Sequence, residues 1–194
     1  MKALMVALAI MAAPPEWRRE AEDDGVTLDV QAQSDSGFEN LRVRGTSKAA
    51  AETFARVWWG PAADLKNNPA VAKREVLTDL PQERLVYDVI KVPLGDERDY
   101  LLRSVKSVGE QGTVTIRFDT VEDPRRPPTP KRIRTRVKAR LVVTPTPTGG
   151  CTFEYEVFTD IGGSLPPFLL VGPQRSGTLS LARDVLARAE AQPR

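Results

Sequence analysis

The chain has 194 residues, with 28 Lys or Arg against 26 Asp or Glu, one cysteine and no histidine. A formal charge of +2 selects no partner, and a lone cysteine excludes both an internal disulfide framework and a cysteine metal cluster. The absence of histidine removes Ser-His and Cys-His nucleophile pairs, His-ligated zinc and an imidazole base near neutral pH.

No composition shift marks a linker, so the chain reads as one domain able to bury a sizeable core. Residues 1–13, MKALMVALAIMAA, place one Lys before an apolar run that ends in small residues, Ala12 and Ala13. They are read as a signal peptide, with residues 14–194 as the domain, although Met11 fits poorly three positions before the cut. That reading implies a periplasmic or secreted protein; if the run is instead an ordinary first helix, the protein is cytoplasmic. The run is too short to span a bilayer.

Glu16 to Asp24 is expected to form a short helix carrying Trp17 and ended by Gly25. Val26 to Ala32 and Phe38 to Gly45 read as the strands of a hairpin. Ser47 is expected to cap a helix with Ala51, Phe54, Ala55 and Trp58 on one face, stopped by Gly60-Pro61. Trp58 faces the core on this reading, and Trp59 either packs under a loop or lines a cavity mouth. Five strands follow, near Lys73 to Thr78, Arg84 to Val92, Asp99 to Val108, Thr113 to Val121 and Ile133 to Thr144, joined mostly by short polar turns. The stretch DPRRPPTPKR has four prolines in ten residues and must be an extended surface loop.

In CTFEYEVFTD the apolar Phe153, Tyr155 and Val157 alternate with Glu154 and Glu156, the period of a half-buried antiparallel strand. Gly162 and Gly163 turn the chain, and Pro166 and Pro167 suit the first turn of a helix. From there Leu179, Ala182, Leu186 and Ala189 form one apolar stripe, with Leu181 and Val185 beside it and Arg183, Asp184 and Arg188 opposite. Pro173 predicts a kink or break after Val171, leaving Phe168, Leu169 and Leu170 on a short piece that swings as a gate or packs as a static kink. The whole is an α+β arrangement: a curved antiparallel sheet of about eight strands wrapped around a long C-terminal helix. A hydrophobic cavity between sheet and helix would be lined by Tyr100, Leu102, Val114, Ile116, Phe118, Val137, Ala139, Leu141, Phe153, Tyr155 and Val157. The same alternation is also satisfied by a solid core.

Three motifs in order, Arg98-Asp99-Tyr100, VEDPRRPP and DIGGSLPPFL, resemble the START domain, a lipid-transfer domain with a helix-grip fold, from about Trp17 to Ala189. The resemblance implies a tunnel holding one lipid or sterol-like ligand, with no covalent chemistry and no cofactor. It also implies that Asp88 of the Tyr87-Asp88 pair is a tunnel acid on the inner face, with Tyr87 outside. Sterol-type members pair such an acid with an Arg six residues after the Arg of the RD motif. Here that position is Ser104, which leaves Asp88 to Ser104, a water or a ligand hydroxyl, or the register off by one. The ligand set is then Asp88, Tyr100 and Ser104 as polar contacts, the apolar lining above, and Phe168 and Leu169 at the gate.

Between Arg125 and Arg140 lie eight Lys or Arg and no acid. Arg134, Arg136, Lys138 and Arg140 form an outer stripe, and Arg125, Arg126, Lys131 and Arg132 are candidates for transient contact with an anionic membrane. The alternative is a solvated face offset by Glu154 and Glu156. Nucleic acid is a poor fit, because no aromatic residues interleave. A monomeric, non-enzymatic lipid carrier or sensor is the leading function. The alternatives are a helix-grip cyclase or hydrolase working through Asp88, Tyr100 or Arg103, and a filled-core protein acting through a protein partner.

Overall fold

A computed structural model of the chain describes residues 16–33, 37–61, 63–64, 71–92 and 95–193. The signal-peptide reading of residues 1–13 lies outside them. In the described residues the order is β1 (Arg18–Asp23), β2 (Val26–Ala32), β3 (Glu39–Ser47), α1 (Ala51–Trp59), β4 (Val71–Asp79), β5 (Glu83–Ile90), β6 (Arg98–Val108), β7 (Val114–Thr120), β8 (Ile133–Arg134), β9 (Arg136–Pro145), β10 (Cys151–Asp160) and α2 (Phe168–Glu190). The strands form a single sheet in the order β1-β2-β3-β10-β9-β7-β6-β5-β4, antiparallel throughout, with the short β8 parallel to β6. Setting β10 between β3 and β9 joins the N-terminal strands to the meander, and α2 returns along β3.

The sheet has ten strands rather than eight. One extra strand corrects the expected N-terminal helix: Arg18–Asp23 is β1, paired antiparallel with β2. Asp24 and Gly25 take φ of 48° and 73° and link Asp23 to its partner Val26, a two-residue hairpin turn that needs positive φ at both positions. The other comes from Thr135, buried between β8 and β9, which divides the strand expected over Ile133 to Thr144. Ser47 is not a helix cap: it ends β3, where its Oγ accepts from the Ala49 N–H and donates to Glu190 Oε1. Nor does α2 break at Pro173; it is one helix from Phe168 to Glu190, with the proline on its exposed side.

The core lies at one end of the inner face. Val114, Ile116, Leu141, Val143, Cys151 and Phe153 pack against Phe54, Ala55 and Trp58 of α1 and against Ala182, Val185 and Ala189 of α2, all buried. Phe54 stacks on Phe153 at 4.6 Å between centroids, and Trp58 meets Tyr155 in a tilted contact at 4.8 Å. Burial of this kind is worth roughly 25 cal/mol per Å² of apolar surface, which is what fixes the sheet to both helices. Trp59 is packed: Arg84 and Lys106 lie over its ring at 4.6 and 5.0 Å from the centroid.

Candidate functional site

Side chains that share a row across the sheet share a face. Val30, Leu41, Val157, Ala139, Phe118, Ser104 and Arg84 stand in one such row, all on the inner side. Further toward the start of β6 come Thr120, Leu102 and Val86, then Tyr100, Asp88 and Arg74, then Arg98 and Ile90. Burial changes along these rows. Where α1 and the C-terminal turns of α2 lie, the inner face is sealed. Below that, Leu102, Phe118, Thr120, Val137, Tyr155, Val157 and Thr159 are only half-buried, though they face the inside of a curved sheet. This half-buried, mostly apolar stretch of the inner face is the candidate chamber.

One polar cluster stands in it. Asp88 is 0% exposed and accepts two hydrogen bonds from one guanidinium, Arg74 Nε to Oδ1 at 2.7 Å and Nη2 to Oδ2 at 2.6 Å. The expected partner Ser104 is not involved. Ser104 sits opposite Arg84 and Phe118, and Asp88 sits between Arg74 of β4 and Tyr100 of β6. The inner-face register expected for Asp88 is therefore correct and its partner comes from the other neighbouring strand. Burial pushes the Tyr100 phenol well above its usual range, and its hydrogen bond to Asp88 adds to that. Burial alone pushes Tyr155 up as well. For Arg74 desolvation pulls down, but the hydrogen bonds to Asp88 outweigh it and hold the guanidinium more strongly protonated than usual.

The expected lining residues divide into two groups. Leu102, Phe118, Val137, Tyr155 and Val157 stand in the half-buried stretch, and Asp88, Tyr100, Ser104 and Ala139 share its rows but are buried. Val114, Ile116, Leu141 and Phe153 belong to the sealed core. Leu169 packs with Leu170 on Phe38 and Ile161, while Phe168 is 78% exposed and stands clear of the interior. Sequence reasoning missed Arg74 and Arg98, both on the inner face; for Arg98 the signal was present, since it shares the parity of Tyr100 and Leu102.

On the outer face Tyr87 donates to Asp99 Oδ2 at 2.8 Å, and Arg134 Nε donates to Asp99 Oδ1 at 2.8 Å. The proline-rich loop is fastened there by ion pairs of Arg126 to Glu75 and Arg132 to Glu97 and by Arg125 donating to the Leu77 carbonyl, while Arg125 also pairs within the loop with Asp123. Lys131 is exposed. A surface depression of about 650 Å³ on the same side is lined by Trp17, Gln31, Asn40, Arg117, Lys138 and Arg140 among others.

The sequence profile of the START domain matches residues 12–193. Among solved structures, the STAR-related lipid transfer protein from Xanthomonas axonopodis is 22% identical, with a TM-score of 0.75 over 89% of this chain and 98% of its own. Human STARD10 gives 18% identity and a TM-score of 0.71 over 89% and 72%. Human StAR-related lipid transfer protein 5 gives 17% and 0.68 over 89% and 86%. At these identities the likeness to the solved structures is one of fold. The comparison with curated proteins gives no match.

Proposed function

From the premise that this chain belongs to the START domain family, we propose that it binds one hydrophobic ligand, a lipid or sterol-like molecule, non-enzymatically, in the chamber between sheet and α2. The observation that carries this is the half-buried lower inner face. Apolar side chains of a curved sheet stand there incompletely covered, beside a buried polar cluster of Arg74, Asp88 and Tyr100. Removing a ligand's apolar surface from water supplies affinity, and the cluster supplies orientation. Transfer between membranes and export through residues 1–13 belong to the same proposal.

The electrostatics favour binding over catalysis. A general base must be free to take a proton near neutral pH; Asp88 is occupied by a bidentate guanidinium, and both phenols facing the chamber are held protonated. The ion pairs of Arg125, Arg126 and Arg132 favour a self-paired, solvated loop over docking on anionic lipid.

The test is native mass spectrometry of the protein purified from its own host, then organic extraction and identification of what is released. One hydrophobic molecule per chain is expected, and Tyr100→Phe should weaken a polar-headed ligand about tenfold, the worth of one hydrogen bond. A protein that is empty and also takes up neither fluorescent lipids nor sterols would remove the proposal.

A further inference from the structure

Arg98 is the largest fully buried side chain among the described residues, at 1% exposure. Among the described residues its guanidinium makes one hydrogen bond, from Nη1 to the backbone carbonyl of Asp96, and no ion pair; Nε is buried without a partner. Its environment contrasts with that of the other inner-face arginines. Arg74 is matched by Asp88, and Arg84 by Asp79 and by the carbonyls of Trp59 and Gly60. The nearest acid of the RD motif, Asp99, is on the outer face with Tyr87 and Arg134. A buried cation without a matching anion costs several kcal/mol, and proteins pair such groups. Burial pulls the Arg98 guanidinium below its usual range, against a weaker pull upward from the Asp96 charge.

The position matters as much as the charge. Arg98 is two residues from Tyr100 on the same face of β6, about 6.6 Å along the strand. It lies where the turn from β10 into α2 meets the turn from β5 into β6. A Cβ on Gly163 would stand 3.2 Å from its Nη2, and one on Gly95 3.5 Å from Nη1. Gly163 and Gly95, at φ of 70° and 88°, therefore pack against the guanidinium in a left-handed conformation that favours glycine. The inner face then holds one bidentate pair, Arg74 with Asp88, and one row further along a buried guanidinium that makes no ion pair among the described residues.

We propose that Arg98 is the head-group site of the chamber and that the ligand is an anionic amphiphile, whose carboxylate or phosphate completes the ion pair that the protein leaves open. This rests on the binding reading above and narrows it to ligands with an acidic head, against neutral sterols and alcohols.

The experiment compares dodecanoate, dodecyl phosphate and dodecanol, below their micelle concentrations, by calorimetry on wild-type protein and on Arg98→Met, with cholesterol and phosphatidylcholine as further neutral or zwitterionic probes. The two anions are expected to bind about 10- to 100-fold more tightly than dodecanol, the range of one charge-assisted hydrogen-bond partner. In Arg98→Met the three should come within about threefold of each other, and the tighter anion in the wild type identifies carboxylate or phosphate as the source. Equal binding of all three to the wild type, or an anion preference that survives in Arg98→Met, overturns the assignment and leaves hydrophobic binding standing. Failure of every probe overturns both readings. Should Arg98→Met not fold, a carbon-13 titration of carboxyl-labelled dodecanoate on the wild type decides. A bound carboxyl pKa below its value in water supports the site, and one at or above that value overturns it.

Discussion

Asp88 has no access to water, and a carboxylate so placed is tolerated only if its charge is matched. Arg74 matches it with hydrogen bonds of 2.6 and 2.7 Å, and Tyr100 completes the cluster. Removing one member of a buried pair costs about 3–5 kcal/mol, whereas replacing both by apolar groups is close to neutral. Arg74→Met is therefore expected to lower the unfolding free energy by about that amount in urea melts, and the double variant Arg74→Met/Asp88→Leu to recover most of it. A single-variant loss under about 1 kcal/mol would overturn the pairing as the reason the acid is tolerated. The alternation in ERLVYDVI made the inward position of Asp88 legible. Its partner was not, because β4 carries register shifts between Val71 and Lys73 and between Val76 and Thr78. Each shift changes which residues face inward, and no local pattern announces a bulge.

Among the elements, α2 is held differently at its two ends. Its C-terminal turns are fastened by the buried Ala182, Val185 and Ala189 and by the Glu190 contacts to Ser47 Oγ and the Lys48 N–H. The N-terminal turns have Leu170 against Phe38 and Ile161, and otherwise depend on Arg175, whose guanidinium binds Glu39 at 2.6 and 2.7 Å and Glu20 at 2.6 Å. Few buried apolar contacts and one ion-pair clamp mark a region of low local stability. Hydrogen exchange is expected to show residues 169–178 opening faster than 179–189, and Arg175→Ala to speed the first group by about threefold to tenfold, the worth of partly buried ion pairs, while leaving the second unchanged. Equal protection along the helix would remove a gate at this end. The helical stripe was readable because it follows the 3.6-residue period. Two other elements were misread for local reasons. Asp24-Gly25 is a hairpin turn signal as well as a helix stop, and Pro173 disrupts less than expected because its side of the helix faces solvent.

For the molecule as a whole, the order of elements and the closing helix were legible, since short turns between alternating segments leave few antiparallel topologies. Whether the interior is full was not, because alternation says which side chains point inward and nothing of what stands opposite them. The tyrosines report on this from the finished sheet. All three in the chain have phenols pushed above their ordinary range. For Tyr87 the cause is burial, then donation to Asp99; for Tyr100 burial, then Asp88; for Tyr155 burial. A folded-state pKa above the unfolded one means that the unfolded chain releases these protons first. The stability they contribute is thus complete below about pH 10 and is lost as pH rises beyond it. Absorbance at 295 nm should show no tyrosinate step near pH 10 in the native protein, and the signal of all three phenols should appear together, at the pH where circular dichroism reports unfolding. Tyr155→Phe should make the alkaline fall in stability shallower by removing one of the three linked protons. A gradual one-phenol titration near pH 10, before any loss of structure, would show that water reaches one of these rings freely. If that ring proved to be Tyr155, the chamber would be an open cleft at the level of Phe118 and Val157 rather than a site that a ligand must enter under α2.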